Sequence, residues 1–248
     1  MDAGAGNAGK SDGRGGAPSL TRFVGREAEL GQLAEWLERR TWPFQVLYVF
    51  GSGGVGKTSL LREYARICGA RGVRWIHVDA RDVDPSPDGV EHAVRAAWEA
   101  SPDGFVLRAA HPRERSVLAI DSYERLLRLD AWVSSAFAPV LQPSCMVVLA
   151  SRRPPAQEWM AHDRWQRLHA LKLSSLSHAA TQEYLDARSV PVEHHVAIHS
   201  FSAGHPLTLA LASRAVVQRP ARGLRPEEIA PDVLAALLEP GVDAADTP

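Results

Sequence analysis

The sequence predicts an α/β fold in three layers: about five parallel strands between two layers of helix, followed by a small helical subdomain. Short apolar runs alternate with helical patterns from Gln45 to Leu173. A glycine-rich loop joins the first of these runs to a helix, and strand signals stop after Leu173. Strands that alternate with helices pair in parallel, because each crossover helix returns the chain to the same end of the sheet.

The elements follow in order. Residues Thr21 to Arg40 open with Phe23-Val-Gly-Arg-Glu27 and continue as a helix with Leu30, Leu33, Ala34 and Leu37 on one face, ended by Pro43. Gln45 to Phe50 is a β-branched apolar run and predicts a buried strand. After the glycine loop, Leu60, Leu61, Tyr64, Ala65 and Cys68 recur at helical spacing. Val73 to Asp79 predicts a second strand, Val90 to Ala100 a helix, and Ser116 to Asp121 a third strand ending in an acid. A helix is expected over Asp130 to Ala138, stopped by Pro139. Cys145 to Ser151 and Leu168 to Leu173 complete the strands. Ser177 to Ala187, Pro191 to Phe201 and Pro206 to Gln218 then read as helices. The expected organisation is a disordered leader over 1–19, an α/β core over 20–173 and a helical lid over 174–218. Residues 219–248 are read as a linker and C-terminal helix, and as a candidate truncation point.

Composition excludes several classes. No apolar run approaches the ~20 residues of a membrane span. The formal charge of −1 gives no global field for nucleic acid. The two cysteines, Cys68 and Cys145, lie among apolar residues far apart, as buried thiols of a reducing compartment do. The N-terminal stretch has no secretory h-region, so a cytoplasmic protein is expected. Only three lysines (Lys10, Lys57, Lys172) stand among 28 basic residues, so a lysine inside the fold needs a reason.

Lys57 has one. Gly51-Ser52-Gly53-Gly54-Val55-Gly56-Lys57-Thr58 fits G-x-x-x-x-G-K-[ST] in full, after a strand and before a helix. Glycines let backbone N–H groups turn towards phosphates, and the helix N-terminus, entered at Lys57 to Ser59, adds partial positive charge. Lys57 is expected on the β- and γ-phosphates and the Thr58 hydroxyl on Mg²⁺. Asp121, at the tip of a buried strand, is a candidate to hold that Mg²⁺, with a helix N-cap as its alternative. Glu124 is a candidate general base or else a solvated helix residue. His195 and His199, spaced i, i+4, lack an evident third ligand and are not read as a metal site.

The order of these pieces resembles the STAND NTPases, signal-transduction ATPases related to AAA+ and NB-ARC proteins. The resemblance rests on Phe23 to Glu27, the Walker A loop at Gly51 to Thr58, the Walker B strand at Val117 to Asp121, Ala150-Ser151-Arg152, and Gly204-His205-Pro206-Leu207. It covers Thr21 to Gln218. It implies ATP or ADP with Mg²⁺ as ligand, Val24, Gly25 and Arg26 near adenine and ribose, and Arg152 as a sensor arginine at the γ-phosphate. It also implies that Pro206, with His205 beside it, packs against the base from the lid. The usual adjacent acidic pair is here Asp121-Ser122, which implies slow hydrolysis. Relatives continue into sensor and effector domains, so an unknown protein partner, or such domains beyond this chain, is expected.

The reading is therefore a nucleotide-dependent switch with slow ATPase activity. A ring-forming AAA+ motor or loader and a non-hydrolysing nucleotide-bound scaffold remain as alternatives. A nucleotide-dependent homo-oligomer is a further expectation; membrane and direct nucleic-acid contacts are not. No Asn-Lys-x-Asp element supports guanine recognition.

Overall fold

A computed structural model describes residues 23–100, 115–157, 159 and 168–218. The expected leader and the expected linker and helix after Gln218 lie outside the described residues. Helix α1 spans Glu27–Glu38, β1 Val46–Phe50, α2 Lys57–Gly69, β2 Arg74–Asp79 and α3 Pro87–Glu99. Strands β3 (Ser116–Asp121), β4 (Cys145–Ser151) and β5 (Leu168–Lys172) follow, then α4 (His178–Ala187), α5 (His195–Ser202) and α6 (Pro206–Gln218).

The five strands form one sheet in the order β2-β3-β4-β1-β5, parallel throughout. The fold is the expected α/β sandwich. Alternation within the strands divides the core. Val46, Tyr48, Leu118, Ile120, Val147 and Leu149 face one way, towards α3 and the segment after β3. Leu47, Val49, Val117, Ala119, Val148 and Ala150 face the other, towards α1 and α2. Both faces are covered, so the central strands are apolar throughout. Parallel strands also place all their C-terminal tips on one edge. The loops after β1, β3 and β4 meet there, beside the point where the chain's crossovers diverge around β1.

One expected element differs. Asp130 to Ala138 is not a regular helix. It runs as a single α turn (Asp130–Trp132), a π segment (Val133–Phe137) and a 3₁₀ turn (Ala138–Val140). Ser134 and Ser135 donate to the Ala131 carbonyl there, in competition with the backbone ladder. Pro139 sits inside the last turn, at a first-turn position that needs no N–H, and so does not end the segment ahead of itself.

A third apolar cluster holds Leu176, Tyr184, Leu185, Ile198, Leu209 and Val216 of the C-terminal helices, and Val24 packs into it. A residue ahead of α1 thus helps build the last part of the fold. Gly204 locks this cluster to the strand end. Its φ is +71°, and a Cβ there would stand 2.2 Å from the Leu176 carbonyl oxygen. The Leu176 N–H in turn donates to the Gly204 carbonyl at 2.8 Å. Gly204→Ala is expected to destabilise the helical cluster by about 2 kcal/mol or more, through left-handed backbone strain in the turn between α5 and α6 plus backbone clash. Gly31→Ala, inside α1 with nothing within 4 Å of its Cβ, should stabilise by roughly 0.5–1 kcal/mol. Urea unfolding of the two variants checks both signs.

Candidate functional site

The loop after β1 turns through Gly54 (φ +75°) and Gly56 (φ +96°) before α2 begins at Lys57. Residues with a Cβ rarely take those angles. Gly51 is small for a different reason: a Cβ there would lie 2.4 Å from the Leu173 carbonyl. Leu173 N–H donates to the Phe50 carbonyl at 2.7 Å, so β1 and the chain leaving β5 clamp the loop's entry.

Lys57 is buried, and its ammonium donates to the carbonyls of Gly51 and Ser52, both at 2.9 Å. Burial pulls its pKa below the ordinary lysine value, while Glu124 and Asp121 pull it back up. The Thr58 hydroxyl donates to Asp121 Oδ2 at 2.6 Å. Asp121 Oδ1 accepts the N–H of Ser122, whose left-handed φ of +54° turns the chain sharply at the strand tip. Two hard oxygen donors thus meet where the loop faces β3, and they suit Mg²⁺.

Glu124 reaches across to the tip of β4. Its carboxylate accepts the Arg152 backbone N–H at 3.1 Å and pairs with Arg152 Nε at 2.9 Å. Arg152 is otherwise exposed, and its guanidinium lies beside Gly53. A buried network behind Glu124 holds its turn in place. The Tyr123 hydroxyl donates to Asp130 Oδ1 at 2.6 Å, and the Trp159 indole N–H donates to the same oxygen at 3.1 Å. Burial, with Asp130 adding to it, pushes the Tyr123 phenol pKa up, so the hydroxyl stays a donor. None of this network was legible in the sequence, because its three members meet only in the fold.

Arg26 is 6% exposed, and burial lowers its pKa, with Glu29 opposing. One nitrogen donates to the Val55 carbonyl (3.0 Å) and the Ser174 carbonyl (2.6 Å); the other pairs with Glu29 at 3.3 Å. A single guanidinium therefore ties the segment before α1, the glycine loop and the chain leaving β5. Gly25, at φ +76°, lies against Ala180 and Leu176. From the other side, Leu207 N–H donates to the Gly54 carbonyl at 3.2 Å and His205 Nε2 donates to the Gly53 carbonyl at 2.9 Å. That donation leaves His205 Nδ1 to accept from the Thr208 hydroxyl at 3.4 Å. Ser52 Oγ lies 3.5 Å from the same Nε2.

Two hollows flank the loop. The larger, of about 740 Å³, is lined by Gly53, Gly54, Lys57, Thr58, Asp121 and Glu124 on its inner side, with Ser59, Arg152 and Pro206 also on its walls. The smaller, of about 20 Å³, is apolar: Phe23, Val24, Val55, Leu176, Tyr184 and Pro206 surround it, with Arg26. Gly56 and Pro206 border both. Of the pair expected against a base, Pro206 lines the smaller hollow, whereas the His205 ring is spent on the loop carbonyl. Arg81, Arg125 and Arg128 line the larger hollow without having been singled out from the sequence. Their position just past the tips of β2 and β3 is the signal that could have found them. His195 donates to the Val190 carbonyl, and no group of three or more metal-capable side chains exists among the described residues.

Residues 22–185 match the family described as AAA ATPase domain. The chain belongs to this family. Solved structures carry the likeness to AAA-type folds further. The Drosophila origin recognition complex (ORC) bound to DNA shares 20% identity and a TM-score of 0.58, over 90% of this chain and 70% of that one. Cdc6p from Pyrobaculum aerophilum shares 14% identity and a TM-score of 0.56, over 82% of this chain and 65% of that one. RuvB from Thermotoga maritima, a Holliday junction branch migration motor, shares 18% identity and a TM-score of 0.55, over 92% and 74%. These identities establish fold alone. No curated protein matches the sequence. As an AAA ATPase domain the chain has a nucleotide site of the P-loop type, and the glycine loop, Lys57, Thr58 and Asp121 are chemically suited to it. Among the described residues, no helix of this AAA ATPase domain is long and apolar enough to cross a membrane.

Proposed function

We propose that this chain is the nucleotide-operated module of a STAND-type switch, which binds ADP or ATP with Mg²⁺ and hydrolyses ATP slowly. Residues 20–173 act as its core and 174–218 as its lid. The observation that carries the reading is the direct bonding of lid to phosphate loop: Leu207 N–H to the Gly54 carbonyl, His205 to the Gly53 carbonyl. Arg26 adds a third tie, from the Val55 carbonyl to Ser174. A loop that reorients its peptides around phosphates must alter these bonds, so lid position and nucleotide state are coupled. The size of the response is set by how differently the two lid states bind each nucleotide, about 1.4 kcal/mol per tenfold difference.

In this reading the loop N–H groups and Lys57 hold the phosphates, and Val24, Gly25, Arg26 and Pro206 border the nucleoside. Mg²⁺, on Thr58 and Asp121, would neutralise phosphate charge. Glu124 accepts the proton of the attacking water once Arg152 leaves it for the γ-phosphate. Calorimetric titration of ADP and of ATP–Mg²⁺ into the purified chain tests the proposal, alongside hydrogen exchange over residues 176–216. Both nucleotides should bind, should protect the lid amides to different extents, and ATP turnover should stay below about 1 s⁻¹, under the usual enzyme range. Absence of binding by either nucleotide defeats it. The fold likeness to RuvB supports a second reading, a ring-forming motor. Turnover per protomer that rises steeply with protein concentration would favour that reading instead.

A further inference from the structure

The larger cleft carries more positive charge than a magnesium nucleotide needs. Among the described residues six cations line it: Lys57, Arg81, Arg125, Arg128, Arg152 and Arg153. Against them, among the same described residues, stand two carboxylates, Asp121 and Glu124. This excess sits in a chain whose overall charge is −1. Arg152 is held by Glu124, and Arg81 by Asp79 at 2.7 Å. No carboxylate among the described residues pairs with the guanidinium of Arg125, Arg128 or Arg153.

Their placement is ordered. Arg81 follows the tip of β2, Arg125 and Arg128 follow β3, and Arg153 follows β4. These three strands are neighbours in the sheet. At about 4.8 Å per strand, the row spans roughly 10 Å, the reach of a short phosphate chain rather than of a long polymer. Arg125 and Arg128 sit in successive 3₁₀ turns, Tyr123–Arg125 and Leu127–Leu129. Both line the cleft and are exposed, while Leu126 between them is buried. Arginine is the cation suited to phosphate, because its planar fork meets two oxygens at once. Like charges gathered without partners repel one another, and a matching anion relieves that cost.

We propose that the outer half of the cleft binds a second phosphate-bearing anion beside the nucleotide, with Arg125, Arg128 and Arg153 as its donors. The ligand is a compact polyphosphate group. Either a separate molecule supplies it or the tail of a nucleotide with more than three phosphates does. The site rests on the reading above only in assigning the inner wall to the nucleotide's own phosphates.

The test uses inorganic tripolyphosphate, titrated into the full chain saturated with ADP and Mg²⁺. One further equivalent should bind, and the Arg125→Ala/Arg128→Ala variant should weaken it on the order of tenfold or more while ADP affinity and the unfolding midpoint stay unchanged. In a parallel arm, adenosine tetraphosphate that binds tighter than ATP and blocks tripolyphosphate identifies the nucleotide's tail as the source. Tripolyphosphate that binds beside the tetraphosphate identifies a separate molecule. Lack of a second equivalent together with no effect of the arginine variant on tetraphosphate overturns the proposal. So does tripolyphosphate binding that disappears in Lys57→Ala, which would reduce both sites to one, or a clear preference for a single-stranded oligonucleotide. If ADP itself does not bind, the switch reading falls. The tripolyphosphate titration of the nucleotide-free chain, compared between the arginine and Lys57 variants, still decides this one.

Discussion

Lys57→Ala is expected to weaken ADP and ATP binding by two orders of magnitude or more, with the fold intact. In the structure the ammonium already makes two hydrogen bonds of 2.9 Å, to the carbonyls of Gly51 and Ser52. It is therefore preorganised within the loop, its charge partly desolvated but supported by Glu124 and Asp121. Phosphate oxygens would replace neutral acceptors with charged ones. Each charge-assisted bond contributes about 1.5–3 kcal/mol, so the loss of two removes about 3 kcal/mol or more, above 100-fold in affinity. The folded state loses little, because Lys57 begins α2, where alanine is a good helix former, and its side chain borders an open cleft that water can fill once the ammonium is removed. Isothermal titration gives the affinity and thermal unfolding the control. Retained affinity would mean that the loop glycines alone hold the nucleotide. Lys57→Arg should fail as well, since a planar fork cannot replace a point charge at the closed end of the loop.

The residues behind this prediction were legible in the sequence because they are contiguous. A strand, a glycine run and a helix start lie within 20 residues, and the φ values of Gly54 and Gly56 are what such a run exists to permit. The strands were legible because a sheet covered on both faces demands apolar residues at every position, as Leu118 and Ala119 illustrate on opposite faces. Contacts between distant segments were not. His205 and Gly53 are 152 positions apart, Arg26 and Ser174 are 148 apart, and nothing in either local pattern announces its partner. The segment from Asp130 to Ala138 misled for a different reason. Its apolar spacing fits a helix, but serine back-bonding and the Tyr123–Asp130 bond hold it in tighter and looser turns. Arg125 and Arg128 precede it, in short 3₁₀ turns (Tyr123–Arg125 and Leu127–Leu129) that carry no periodic signal in the sequence.

Glu124→Gln is expected to lower kcat for ATP hydrolysis by 10²–10⁴ with nucleotide affinity nearly unchanged, the range associated with loss of a general base. The case rests on position. Glu124 lines the same cleft as Lys57, Thr58 and Asp121, and its turn is fixed from behind by a buried tyrosine–aspartate–tryptophan network. The amide keeps the shape and can still accept the Arg152 N–H through its carbonyl oxygen, so the strand tips should stay in register. What it cannot do is take a proton from water. Arg152 now occupies the carboxylate. A base so engaged is a poor base, so the proposed mechanism has Arg152 move to the γ-phosphate first. Arg152→Ala consequently separates two roles. If its chief effect is to restrain Glu124, turnover rises; if its chief effect is on transition-state charge, turnover falls despite a freed carboxylate. Charge spread over the γ-phosphoryl oxygens dominates the barrier in phosphoryl transfer, so the fall is expected. Single-turnover hydrolysis at saturating ATP reads both variants. A Glu124→Gln chain that hydrolyses at the wild-type rate would return Glu124 to the status of an anchor for Arg152 and leave the water without a protein base at this position.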